Sequence, residues 1–435
     1  MDRSATTHHR LIAATGVLAL ILAACATAET PSGQPGASAA ATASATLKAS
    51  TAPLPATSAA PTPVGTPSAD PSPTPSPTPK PTPVPSPTPT PAPVQPAGWS
   101  LPEGVGAARH CVDVTAEIDF LGGYHVAAEC AGAIHYYYAP ATGTNRTWTA
   151  RVFALATHRE EVGPLIALDG KVVYVAYTRY IPDGGCGGDR GIPVGVYYRS
   201  RTLPGGAWSP AKRIGAAADV LQSFGVDAGM LHAVVYGSGG LSFYENLKGS
   251  TLHRYRISRL PTGFVAMRIG SDGRARLTYA SLGIRYAVFN GSGFSASRVP
   301  GTTQVDSDAL VALDANDKGH LVWTRNEQGA CGNVPVGTYY ATNASGSWKV
   351  QRITKETGVS SIEVDKSTGR IHVLIGGNYF TKTTSGSWTR TVLASTTGMA
   401  SETLRFDTHT GAVLVVYIEG SSGKIKAITS QHCGC

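Results

Sequence analysis

The sequence predicts an all-β protein, a β-propeller of seven four-stranded blades. One observation is a phrase that recurs seven times after Pro96: a large apolar anchor, a short strand, then an apolar stretch ending in an Asp/Gly turn. The anchors are Trp99, Trp148, Trp208, Leu252, Phe294, Trp348 and Trp388. Their spacing of roughly 40–60 residues lies in the range of propellers and solenoids. The other observation is that each phrase holds four strand-like pieces. A four-stranded unit cannot bury both faces until neighbours stack on it, which a ring of blades achieves.

Taken in order, the chain begins with Arg3 and Arg10 around a short apolar run, Leu11 to Ala24. That run is too short for a permanent membrane helix and reads as a secretory signal. It ends in Leu22-Ala23-Ala24-Cys25, which resembles the lipobox of bacterial lipoproteins. The resemblance implies cleavage before Cys25 and diacylation of that residue, so residues 1–25 form a lipoprotein signal. The mature protein is then expected outside the cytoplasm, anchored to the cell membrane.

Residues 26–98 are Ala, Thr, Ser and Pro, ending in an alternating Pro tract from Pro71 to Pro96. Such a segment buries almost nothing and forms neither helix nor sheet ladder; it is expected to be disordered, with polyproline II character, and to act as a spacer. Residues 99–435 are then one propeller domain. The formal charge of +8 is spread over the folded part as single Arg and Lys residues. It fits a solvated surface, or attraction to anionic lipid or wall polymers, and lacks the basic, aromatic-interleaved blocks of nucleic-acid binders.

The second blade shows the pattern most clearly. Ile166-Ala-Leu168 is followed by the turn Asp169-Gly170, the run Lys171 to Tyr177, a long loop, Gly195 to Arg199, and Trp208 to Ile214. The first pair of strands recurs around Asp119, Asp227, Asp272, Asp314, Asp365 and Asp407. Turn chemistry accounts for these Asp residues, whose side chains cap backbone amides, so they are not read as metal ligands. The paired third-strand tyrosines are read as packing between blades. The last unit runs out near Thr429, and Gly98-Trp99-Ser100-Leu101 can supply its missing outer strand, closing the ring and removing exposed edges. Closure favours seven blades; six is the alternative, since the first unit is the least regular.

Loops between second and third strands share one rim with the connections between blades. Two of them are alike: Cys186-Gly187 through Pro193-Val-Gly195 and Cys331-Gly332 through Pro335-Val-Gly337, each after a Thr-Arg pair, Thr178-Arg179 and Thr324-Arg325. A retained rigid loop explains the likeness, and so does a rim binding an anionic or sugar ligand through Arg179 and Arg325. Cys111, Cys130, Cys186, Cys331, Cys433 and Cys435 are an even set in an oxidising compartment, so disulfides are expected. Strand direction favours Cys111 with Cys130, Cys186 with Cys331, and Cys433 with Cys435. No Cys-x-x-Cys or His pair points to a metal, and no cofactor is expected.

Gly346-Ser-Trp348 and Gly386-Ser-Trp388, each followed by a short strand, resemble the sialidase-type secreted bacterial propellers. Sialidases carry Asp-boxes of the form Ser-x-Asp-x-Gly-x-Thr-Trp and an Arg-Ile-Pro motif. Here Ser271 to Tyr279 and Asp365 to Gly369 depart from the first, and Gly191-Ile192-Pro193 lacks the Arg of the second. The expectation is a monomeric, lipid-anchored binding module for a polysaccharide or envelope protein. The alternative is a glycan-active hydrolase or lyase, which needs two carboxyl groups about 5–9.5 Å apart. Candidates for binding or catalysis at the rim are Asp183, Asp189, Glu327 and Glu419, with Glu129 a further carboxylate for the enzyme reading.

Overall fold

The computed structural model describes residues 96–430, apart from 142–145, 154–158, 183–190, 247–251, 260–263, 330–331, 394–398 and 421. The expected lipid-attachment Cys25, and Asp183, Cys186, Asp189, Cys331, Cys433 and Cys435, lie outside the described residues.

Seven antiparallel four-stranded sheets follow one another as blades 1 to 7, spanning 111–152, 160–214, 220–258, 266–298, 307–354, 359–392 and 399–429. Each of the first six is made of four consecutive strands. Blade 7 has three of its own and takes its fourth from the start of the domain.

That closing strand lies slightly later than the sequence suggested. Glu103 and Gly104 pair with Ala427 and Lys426, while Trp99 makes only an isolated bridge to Ser430. Pro102 donates no N–H and interrupts the ladder between these contacts. The join is reinforced by Arg146 of blade 1, whose Nη1 donates to Glu103 Oε1 at 2.8 Å.

Adjacent blades share a repeated seam. The anchor of one blade packs edge-on against the third-strand aromatic of the blade before it: Trp208 on Tyr136 at 4.9 Å, Trp348 on Tyr286 at 5.3 Å, Trp388 on Tyr340 at 5.4 Å and Trp99 on Tyr379 at 5.1 Å. Phe294 does the same on Phe243. Each such pair contributes about 0.5–1.5 kcal/mol beyond its buried area, and one crosses the closure itself.

Beneath three of the four tyrosines sits a buried His. The ring Nδ1 atoms of His125, His320 and His372 lie 2.6 Å from the hydroxyls of Tyr136, Tyr340 and Tyr379. In blade 1, Nε2 of His125 donates to Asp119 Oδ2 at 3.0 Å. That acceptor fixes the tautomer, so the Tyr136 O–H donates to Nδ1. Asp119 also caps the amides of Leu121 and Gly123, and Asp314, Asp365 and Asp407 cap their own turns. The turn acids are therefore structural, as turn chemistry requires. The paired third-strand tyrosines pack between blades, as expected.

Candidate functional site

Of the residues the sequence singled out, Arg179, Arg325, Glu129, Glu327 and Glu419 lie at the rim. In blade 2 the second and third strands are Val172–Ile181 and Ile192–Thr202; in blade 5 they are Gly319–Gly329 and Gly332–Thr342. These are the longest hairpins in the ring. Two blades lie between them one way and three the other, so they stand nearly opposite across the channel mouth.

The hairpins share a bulge, between Arg179 and Tyr180 in one and Arg325 and Asn326 in the other. Opposite it lie Gly195 and Gly337, both at positive φ. A Cβ on Gly337 would meet Thr354 O at 2.6 Å, which explains the Gly of the shared Pro-Val-Gly motif.

Both arginines are engaged within the fold. Arg179 Nη2 donates to Glu161 Oε1 at 2.6 Å, and its guanidinium lies 4.2 Å from the Tyr197 ring centre. Arg325 Nε lies 2.9 Å from Asp306 Oδ1, Nη2 donates to Gly301 O, and the guanidinium covers Tyr339 at 4.4 Å. Asp306 also accepts from Trp323 Nε1 at 3.1 Å. Glu161 and Asp306 are fully buried side chains, whereas Arg179 and Arg325 are 12 % and 16 % exposed. Burial alone would lower the pKa of Arg179, and the Glu161 carboxylate outweighs it, holding the group above its usual value.

The described rim carboxylates come from three different blades, Glu129 from blade 1, Glu327 from blade 5 and Glu419 from blade 7. Glu327 is exposed on the blade-5 hairpin. Glu419 accepts from the Ser422 hydroxyl in its own turn, and Glu129 accepts from the Gly163 amide. The expected Cys111–Cys130 disulfide is present, joining directly paired residues of blade 1 at the same rim.

A charged cluster that sequence reasoning missed lies in the channel, at the mouth opposite the rim. Arg405 bridges two carboxylates, Nη2 to Glu117 Oε1 at 2.8 Å and Nη1 to Glu363 Oε1 at 3.1 Å. Glu363 Oε1 also accepts from Arg268 Nη2 at 3.0 Å. The row Glu117–Arg405–Glu363–Arg268 joins blades 1, 7, 6 and 4 and borders a cavity of about 390 Å³. Its other walls are apolar, with Ile118, Ile166, Leu168, Phe224 and Phe406.

A signal for this row exists in the sequence. Glu117, Glu363 and Arg405 each stand two residues before a turn Asp, and Arg268 two before Gly270 in the equivalent turn. The same position holds Ala167, Gly225 and Ala312 in the other blades, and those small side chains leave the space. Among the described residues no three His, Cys, Asp or Glu side chains gather as metal ligands would.

No protein-family model matches the sequence, and no curated protein matches it. Solved structures match in shape. The fold is a β-propeller. One match is a catalytically inactive virginiamycin B lyase from Staphylococcus aureus, solved with quinupristin: 10% identity over 76% of this chain and 99% of that one, at a TM-score of 0.51. A streptogramin B lyase matches at 10% identity over 76% and 97%, also at 0.51. A chain of the mitotic checkpoint complex matches at 11% over 75% and 92%, again at 0.51. Likeness at these identities shows the fold alone.

Proposed function

We propose that this protein is an extracytoplasmic binding module, held at the membrane by a lipid on Cys25, that engages a glycan or protein partner at the rim carrying the hairpins of blades 2 and 5. One observation supports this reading above the others. The conspicuous rim arginines are neutralised by Glu161 and Asp306, and Glu327 and Glu419 sit on separate blades without a shared contact. Glu327 and Glu419, from blades 5 and 7, are therefore not the close pair of carboxyl groups on one blade's loop that would favour hydrolysis over binding. What it offers a partner is two opposed, rigidly braced hairpin stems with apolar surface at Ile181, Ile192 and Val334.

Enzymatic action on a glycan is the second reading, and the channel favours it through one feature: Glu117 and Glu363 share Arg405. A glycan array run beside a hydrolysis screen on the full chain separates the two. The binding reading expects retention without released sugar, weakened by Ile192→Asp and Val334→Asp. Turnover abolished by Glu327→Gln or Glu363→Gln overturns it. Radiolabelled palmitate entering the wild-type chain and not Cys25→Ala tests the anchor.

A further inference from the structure

Six of the seven fourth strands, which form the outer perimeter, carry cations and no acids, whereas the seventh, Glu103–Gly104 of blade 7, carries one acid and no cation. The cations are Arg151 in blade 1, Lys212 and Arg213 in blade 2, Arg254 and Arg256 in blade 3, Arg298 in blade 4, Lys349 and Arg352 in blade 5, and Arg390 in blade 6. All nine are exposed, and those six strands contain no Asp or Glu. Among the described residues, only Arg390 of the nine has a carboxylate within ion-pair distance, Glu356 at 2.9 Å.

Protection of an edge strand against pairing needs charge, but not charge of one sign. The single sign has a source in the rest of the fold. Turns consume acids such as Asp119, Asp365 and Asp407 on backbone amides without taking up a Lys or Arg, which leaves cations over for the surface.

A second observation points the same way. Beside the outer strand of blade 6 is a cleft of about 230 Å³ lined by Arg370, Lys382, Thr381, Thr383, Ser387 and Thr389. It brings together two cations and four hydroxyls, and no carboxylate lines it. Arg370 has no side-chain partner among the described residues, and Lys382 Nζ donates only to the neutral Gln351 Oε1, at 3.1 Å. Burial lowers the pKa of Lys382, a penalty that an anion beside it would offset. Thr381 Oγ1 donates to Ile371 O, and the two cations with the other three hydroxyl-bearing side chains of the cleft suit a tetrahedral oxyanion.

We propose that the perimeter and the blade-6 cleft together bind a flexible linear polymer bearing phosphate groups, one phosphate seated between Arg370 and Lys382 and its neighbours along the fourth-strand cations. The ring geometry selects this partner. A flat bilayer touches only one side of a ring, and a nucleic-acid duplex, stiff over about 500 Å, follows so small a curve only at a large elastic cost. A flexible chain can meet several blades at once and gain by multivalency.

The test measures binding of the full chain to long-chain inorganic polyphosphate, to tripolyphosphate and to vesicles of anionic lipid across a salt series. The long polymer should bind about 100-fold tighter than the short one, and tighter than the vesicles. Arg151→Gln, Lys212→Gln and Lys349→Gln together should flatten the dependence of log affinity on log salt by about 2. Lys171→Gln, Lys318→Gln and Lys424→Gln remove the same charge elsewhere and should leave that slope nearly unchanged. Arg370→Gln with Lys382→Gln should weaken polymer binding about tenfold through loss of the seated phosphate. Equal affinity for short and long phosphate, vesicle binding as tight as polymer binding, or equal effects of the two triple variants overturns the proposal.

Discussion

The arginines of the rim and the cations of the perimeter make opposite use of the same charge. Arg179 and Arg325 sit in conspicuous twin motifs, yet each is clasped between a buried carboxylate and a tyrosine ring. Arg151, Lys212 and Lys349 belong to no motif, yet on the outer strands of blades 1, 2 and 5 they face solvent with no acidic partner among the described residues. A cation's place in a motif thus says little about its availability. The deciding fact is whether the fold supplies its counter-charge.

The comparison can be broken first at the rim. Asp306→Ala strands the Trp323 indole N–H and the Arg325 guanidinium in a nearly dry site. Breaking such a pair costs about 3–5 kcal/mol. Urea unfolding should show a loss of that size, and a loss under 1 kcal/mol would mean that the rim clasp is not structural.

The next largest effect is on pH. Burial depresses His232 and His372 to about 4. Below the unfolded value near 6.5 the unfolded chain takes up protons that these native rings refuse, so stability is undiminished above pH 6.5 and falls as pH drops toward 4. Each ring contributes about 3 kcal/mol to that fall. Both ring nitrogens of His232 lack a hydrogen bond, and the ring stacks on Phe243. His232→Phe should therefore leave stability at pH 7 unchanged or raised, and should flatten the loss between pH 6.5 and 4, as read from urea midpoints.

A smaller effect is expected at the seam. Tyr340→Phe keeps the ring under Trp388 but leaves His320 Nδ1 without its partner, at a cost of about 1–3 kcal/mol. The smallest belongs to the perimeter. Lys212→Gln and Lys349→Gln touch no buried group, and each should shift stability by less than about 0.5 kcal/mol.

The sequence made the architecture legible because the repeat is physical. The anchor that recurs as Trp208, Trp348 and Trp388 marks a seam that every blade must bury, and Asp with Gly marks every turn. Closure was legible too, displaced by a few residues because Pro102 interrupts the ladder. The site was less so. Arg179 and Arg325 were found by likeness of loops, but their partners Glu161 and Asp306 lie 18 and 19 residues away, on strands brought alongside only by the fold. The channel row from Glu117 to Arg268 joins four blades, and a single turn offset gave its only trace. The perimeter cations are scattered in sequence, and only the outermost position of each fourth strand makes them one surface.

The most direct test replaces Lys382 alone and measures long-chain polyphosphate affinity beside the urea midpoint. With the perimeter and its cleft available for ligand while the rim pairs hold the fold, Lys382→Gln should weaken polymer binding several-fold and leave the midpoint unchanged. Unchanged affinity, or a loss of affinity that only tracks a loss of stability, would contradict that division of labour.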